Sequence, residues 1–206
     1  MKISERIYNS SEVIAFRSTK EEFGGLSNMA PGYILRVNDV IIPSAEALYQ
    51  ACRYPLFPDI QQEIISQNSP MTAKMISRKY LSHSRQDWEE IKYTIMYWVL
   101  QVKLSQNFDN FSHVLKKTAD IPIVELSTKD KDWAVIAENK NTLKGKNALG
   151  RLLMKLRSEF ILENNDIDCV SPPAIYGFML YGSDIETVCN PELELAHSLL
   201  FDLDSK

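Results

Sequence analysis

The sequence predicts an α+β fold, mainly α-helical, in a compact single domain with a short β region at its N-terminus. Two observations carry this. The first forty residues read as short strands and turns, whereas from residue 44 onward apolar residues recur at helical spacing. The chain has 206 residues, 45% of them apolar, which suits one sizeable core, and no internal repeat or low-complexity run divides it. Residues 1–160 form the expected domain, and 161–206 an extension packed on it with no function assigned.

The elements follow in order. "YILRVNDVII" places two β-branched or aromatic runs around an Asn38-Asp39 turn, a hairpin signal. In "VIIPSAEALYQACRY", Pro43 stops the strand and Ser44 suits a helix N-cap. Ala45, Leu48, Tyr49 and Cys52 then form a buried stripe, with Glu46, Gln50 and Arg53 beside it. Helices are expected at about 58–67, 70–80 and 86–106. In the last, Trp88, Ile91, Ile95, Trp98, Val99 and Val102 share a face, and Asp87 sits where the helix dipole favours negative charge. After a short helix near 109–117, "IPIVEL" reads as a strand, "STKDKDW" as a polar loop and "NALGRLLMKLRSEF" as a helix. Beyond 161 the pattern is irregular: Pro172-Pro173 breaks it, and "NPELELAHSLLF" reads as one more helix.

Composition excludes several classes of function. No run of eighteen apolar residues occurs and the start of the chain lacks a signal pattern, so a cytoplasmic protein without membrane contact is expected. Cys52, Cys169 and Cys189 are odd in number and scattered, which points away from a disulfide framework and towards a reducing compartment. His83, His113 and His197 stand in no ligand pattern, so neither metal nor cofactor is expected. A net charge of −4, from 23 basic and 27 acidic residues mixed along the chain, leaves room only for local nucleic-acid contact.

Four places hold groups that a core does not require. In "FGGLSNM", Gly24-Gly25 lets backbone approach a ligand, and Ser27 and Asn28 offer short donors and acceptors. Glu46 falls in the first turn of a helix, where its ordinary role is to complement the dipole at the surface. "VELSTKDKDW" combines Glu125, Asp130 and Asp132 with Trp133, whose indole wants a partner. In "LKGKNALGRLLM", Gly145 and Asn147 open a helix flanked by Lys144, Lys146, Arg151 and Lys155, a place for phosphate. Lys74 and Arg78, one turn apart, either grip phosphate or are plain surface charge. Trp88 is core by its phase and would stack on a base only from a rim.

Taken in order, "FGGLSN", "PSAEALYQACRY", "AKMISR", "DW" before a long helix, "VELSTKDKDW" and "GKNALGRLLMKLR" resemble the NADAR, or YbiA-like, family along roughly residues 14–160. The resemblance implies a compact α+β fold that hydrolyses N-glycosidic bonds. Some members act on early riboflavin-pathway intermediates; others remove ADP-ribose from guanine bases, including DNA modified by a DarT-like toxin. It places the family glutamate on Glu46, the helix-leading tryptophan on Trp88 and the D-x-x-W pair on Asp130 and Trp133. The Ser-Asn loop falls on Ser27 and Asn28, and the helix start on Gly145, Asn147 and Gly150. One departure is that Ala134 follows Trp133 where the family carries glycine.

Breaking a ribosyl C–N bond passes through an oxocarbenium-like state, so a site must stabilise positive charge, activate water and help the base leave. Glu46 is expected to carry the main load and Asp130 to bind ribose hydroxyls or assist proton transfer, with Trp133 or Trp88 stacking. Lys74, Arg78, Lys146 or the amides near Gly145 are the expected phosphate donors. The first expected substrate is ADP-ribosylated guanine in DNA, the protein meeting a cognate toxin only through the toxin's product. The second is a phosphoribosylamino-pyrimidine of the riboflavin pathway. A third reading, from another class, is a non-catalytic module that binds ADP-ribose.

Overall fold

The computed structural model describes residues 3–190, and the helix expected in "NPELELAHSLLF" lies outside them. Among the described residues, six α-helices enclose one main core, and the strands form small ribbons at its margins. The helices are α1 (Ala45–Ala51), α2 (Pro58–Ile65), α3 (Pro70–Lys79), α4 (Trp88–Gln106), α5 (Phe108–Lys117) and α6 (Ala148–Arg157). Their bounds follow the sequence periods within a few residues, with a turn of π-helix over Ser158–Leu162 closing the last.

Local chemistry fixes the entry to α1. The turn between β3 (Leu35–Val37) and β4 (Val40–Ile42) has Asn38 at φ 48° and Asp39 at φ 60°, the left-handed pair a two-residue hairpin needs. Ser44 then caps α1, its Oγ accepting from the Ala47 amide at 3.2 Å. One buried stripe was expected on this helix; instead every residue from Ala45 to Ala51 is buried. The helix runs through the middle of the core between α2, α3 and α4, so its polar stripe is enclosed too.

The N-terminal strands find partners far along the chain. β1 (Arg6–Asn9) pairs antiparallel with β7 (Thr142–Gly145), which also pairs with β6 (Ile136–Ala137). β2 (Ile14–Phe16) runs parallel to β5 (Ile123–Glu125), Phe16 opposite Glu125. Gly145, expected to open a helix, therefore ends a strand.

Beyond α6, β8 (Cys169–Val170) pairs with β11 (Val188–Cys189), and β9 (Met179–Leu180) with β10 (Ser183–Asp184). Their apolar side chains join the main core, where the Phe178 and Trp98 rings meet edge-on at 5.0 Å. The β8–β11 register sets Cys169 opposite Cys189, and the two are bonded. This corrects the expectation of no disulfide: a cross-strand register cannot be read from Cys spacing. Cys52 is the free, buried thiol, and burial pushes it up to about 12. No helix among the described residues is long and apolar enough to cross a membrane.

Candidate active site

A cleft of about 370 Å³ opens between α1, α3, the start of α4 and the β5 loop. Its walls include Ser27, Asn28, Glu46, Lys74, Arg78, Trp88, Asp130 and Trp133 from the sequence reading, and also Glu125, Gln50, Arg53 and Lys92. The first contact that assembles it is backbone: the Glu46 amide donates to the Asn28 carbonyl at 3.2 Å. The Ser-Asn loop is thus tied to the first turn of α1.

Glu46 is only 4% exposed, so it is not the surface dipole-complementing glutamate of the ordinary reading. Its Oε1 accepts from Gln50 Nε2 at 2.9 Å and lies 3.5 Å from Lys74 Nζ. Gln50 Oε1 in turn accepts from Ser77 Oγ at 2.5 Å, and the Tyr54 hydroxyl donates to the Ser77 carbonyl. This chain of hydrogen bonds locks the carboxylate in one rotamer at the cleft wall.

Ser27 and Asn28 are both buried, and the Asn28 Oδ1 has no hydrogen-bond partner among the described residues. Beneath the loop, Lys103 donates to the carbonyls of Gly25 and Ser27 at 2.7 and 3.2 Å. Its ammonium lies 4.1 Å from the centroids of both Tyr33 and Phe111, and burial pushes its pKa well down. The expected role of Gly24-Gly25 is corrected here. A Cβ on Gly24 would sit 2.3 Å from the Thr19 carbonyl oxygen, and one on Gly25 2.5 Å from the Tyr33 hydroxyl. The glycines admit protein, not ligand.

Asp130 lines the cleft, but one oxygen is committed to its own loop: Oδ1 accepts from the amides of Asp132 and Trp133 at 2.8 and 2.9 Å. Ser127 Oγ caps the amides of Lys129 and Asp130 in the same way. The paired turns aim Trp133 inward, where Tyr49 and Tyr93 meet its ring edge-on at 5.5 and 5.2 Å. Trp88, at 4% exposed, is wall: Tyr49 lies 5.0 Å from its ring centroid, and the Arg53 guanidinium sits over it at the same distance. Trp133 is the half-buried indole with surface left for a ligand. Ala134, the departure from the family glycine, is buried without a positive φ, so its loop suits an L-residue.

Gly145, Lys146 and Asn147 stand outside the cleft, which corrects the expected phosphate cradle. The carbonyls of Lys131, Asp132, Trp133 and Ala134 already accept the amides of Lys146, Ala148, Leu149 and Asn147, respectively, so the start of α6 has no donors to spare. Lys146 Nζ is bonded to Asp132 at 2.6 Å. Gly145 is needed because a Cβ there would lie 2.4 Å from the Ala134 carbonyl oxygen. Asn147 is fully buried; it donates to the Ile123 carbonyl at 2.8 Å and accepts from the Glu125 amide at 3.2 Å.

Glu125 is the wall residue that sequence reasoning left unassigned. Its signal was strand alternation: it shares a face of β5 with the fully buried Ile123, an odd place for a carboxylate. Burial raises its carboxyl to about 7; Lys74 pulls it down, and Glu46 and Asp130 push it up. Among the described residues, no group of His, Cys, Asp and Glu is arranged to hold a metal ion.

The model of the NADAR domain family matches residues 15–161 of this sequence. The chain belongs to the NADAR family. N-glycosidase YbiA of Escherichia coli (strain K12) is 32% identical over 151 residues, 73% of this chain and 90% of that protein. An NMR structure of E. coli YbiA matches with a TM-score of 0.63 at 31% identity, over 74% of this chain and 86% of that one. A riboflavin biosynthesis protein of Vibrio vulnificus (strain YJ016) is 32% identical over 178 residues, 82% of this chain but only 46% of that longer protein. The enzyme class of this NADAR chain is therefore that of a glycosylase hydrolysing N-glycosyl compounds.

Proposed function

We propose that this NADAR chain hydrolyses the bond between ribose C1′ and the amine of a small phosphoribosylamino-pyrimidine. The observation that carries the reading is the convergence of Glu46, Glu125 and Asp130 on one aromatic-walled cleft of about 370 Å³. That volume is near the lower end of ligand pockets, about 300–1,000 Å³, and suits a mononucleotide better than a dinucleotide. The Vibrio vulnificus relative, named for riboflavin biosynthesis, supports the same choice. Glu46, fixed by Gln50, faces the cationic sugar and takes the proton of the attacking water. Trp133 offers a face to the pyrimidine, and Lys74 and Arg78 bind the 5′-phosphate.

A second reading, hydrolysis of ADP-ribosylated guanine in nucleic acid as the antitoxin to a DarT-like transferase, draws on a different observation. Lys74 and Arg78 are two cations one helical turn apart on the cleft wall, and Arg78 has no ion pair among the described residues, which suits a pyrophosphate. The acidic balance of the chain, −4, weighs against broad contact with a nucleic-acid backbone.

One assay separates the two readings. The purified protein is incubated with the phosphoribosylamino-pyrimidine and, separately, with ADP-ribosylated guanine DNA, with Glu46→Gln as control. Ribose 5-phosphate release from the small substrate is the expected result. ADP-ribose release from DNA alone would replace the first reading with the second, and binding without release from either would leave an ADP-ribose-binding module.

A further inference from the structure

Four carboxyl groups line the cleft; Glu89 is paired with Lys92, and the other three differ in their surroundings. Glu46 is bonded to Gln50 and approached by Lys74. Asp130 spends one oxygen on two loop amides. The Glu125 carboxyl makes no hydrogen bond or ion pair among the described residues. Its backbone, by contrast, is pinned on both sides: the amide donates to Asn147 Oδ1 at 3.2 Å, and the carbonyl accepts from the Val135 amide at 2.8 Å. A rigid main chain thus presents a partly enclosed carboxyl with a free end.

We propose that Glu125 is the general acid of the site, delivering the proton that lets the base depart. This rests on the N-glycosidase reading of the cleft. Water forms a bond to C1′ and gives its proton to Glu46. The C1′–N bond breaks with its electron pair on nitrogen, and that nitrogen takes the proton of Glu125. Exchange with solvent then returns the proton from Glu46 and restores that of Glu125. The charged groups facing Glu125 are Glu46 from α1, Lys74 from α3 and Asp130 from the following loop. Arg53, Arg78, Glu89 and Lys92 line the rest of the cleft. Burial keeps this carboxyl protonated near neutrality; Lys74 opposes that, and the Glu46 and Asp130 carboxylates reinforce it. Asn147, expected to touch substrate, becomes a positioning residue for this acid.

The test compares two leaving groups. On a riboside of an amine, kcat/KM of the parent enzyme should fall as pH rises through about 7, because the acid must carry its proton. On a nitrophenyl riboside 5-phosphate, whose leaving group departs unprotonated, that descending limb should be absent, a comparison that needs no variant. Glu125→Gln should lose about 10²-fold or more on the amine riboside together with the limb, and stay within about tenfold of the parent on the nitrophenyl riboside. Glu125→Asp, which keeps a carboxyl, should keep the limb at a reduced rate and serves if the Gln variant does not fold. A limb that survives in Glu125→Gln, one that is lost in Glu125→Asp, or one that appears equally for both leaving groups in the parent, would overturn the role of Glu125 alone. A parent enzyme inactive on every riboside would overturn the N-glycosidase reading, and the acid with it.

Discussion

Asp132 and Glu125 belong to one strand-and-loop segment, yet their carboxyls are held in opposite states. Burial by itself would raise both. Around Asp132, Lys146, Lys92 and the Tyr93 hydroxyl donate at 2.6, 2.8 and 2.6 Å, and these donors outweigh burial and bring it down to about 2. Lys92 is shared with Glu89, and the two carboxylates more than offset the burial of its ammonium. Glu125 has no such donors and is raised to about 7. The first cluster is a closed lock between α4, the loop and the start of α6. The second is left open towards the cleft. What separates structure from chemistry here is both the number of donors granted to each carboxyl and how deeply it is buried.

The sharpest break of that contrast is Glu46→Gln, which keeps the bond from Gln50 and removes the charge. We expect kcat/KM for the N-riboside to fall by about 10³-fold with the thermal midpoint little changed. A fall of less than about tenfold would remove Glu46 from the chemistry.

Next in size are two stability effects of opposite sign. Asp132 is depressed from 3.8 to about 2, so its contribution is present above pH 4 and lost as pH falls towards 2. By linkage that contribution is about 2 kcal/mol. Glu125 is raised from 4.5 to about 7, so its contribution is present below pH 4.5 and lost as pH rises through 7. Urea midpoints between pH 2 and 8 should show Asp132→Asn without the acid-side loss and roughly 2 kcal/mol less stable than the parent at neutral pH. Glu125→Gln should be more stable than the parent at pH 8 by about 2 kcal/mol, the cost of an acid kept for function. Parallel curves for the two variants would undo the comparison.

Lys103→Met should have a smaller effect. It leaves two loop carbonyls unpaired but also relieves a buried charge, for a net loss of about 1 kcal/mol. A few-fold rise in KM should accompany it as the Ser27–Asn28 loop loosens, which steady-state kinetics would detect. Smallest is Asp130→Asn, whose Oδ1 can still cap both amides; activity should stay within about tenfold, whereas Asp130→Ala should cost about 1 kcal/mol of stability. A larger loss in the Asn variant would return Asp130 to the proton-transfer role first expected of it.

The sequence by itself determined whatever depends on neighbours along the chain. The Asn38-Asp39 turn, the Ser44 cap, the helical periods and the apolar face of α4 all follow from local geometry, and order and spacing of motifs identified the family. Tertiary structure alone decided which segments meet. The loop 131–134 lies along the start of α6 and takes up its amides, which turned Gly145, Lys146 and Asn147 from ligand groups into supports. The β8–β11 register joined Cys169 to Cys189. Glu125 gained its character because the fold buries it and brings Glu46, Asp130 and a single lysine to face it from three separate elements. The state of a carboxyl depends on the sum of charges and donors brought near it in space, and that sum is not written in the spacing of residues along a chain.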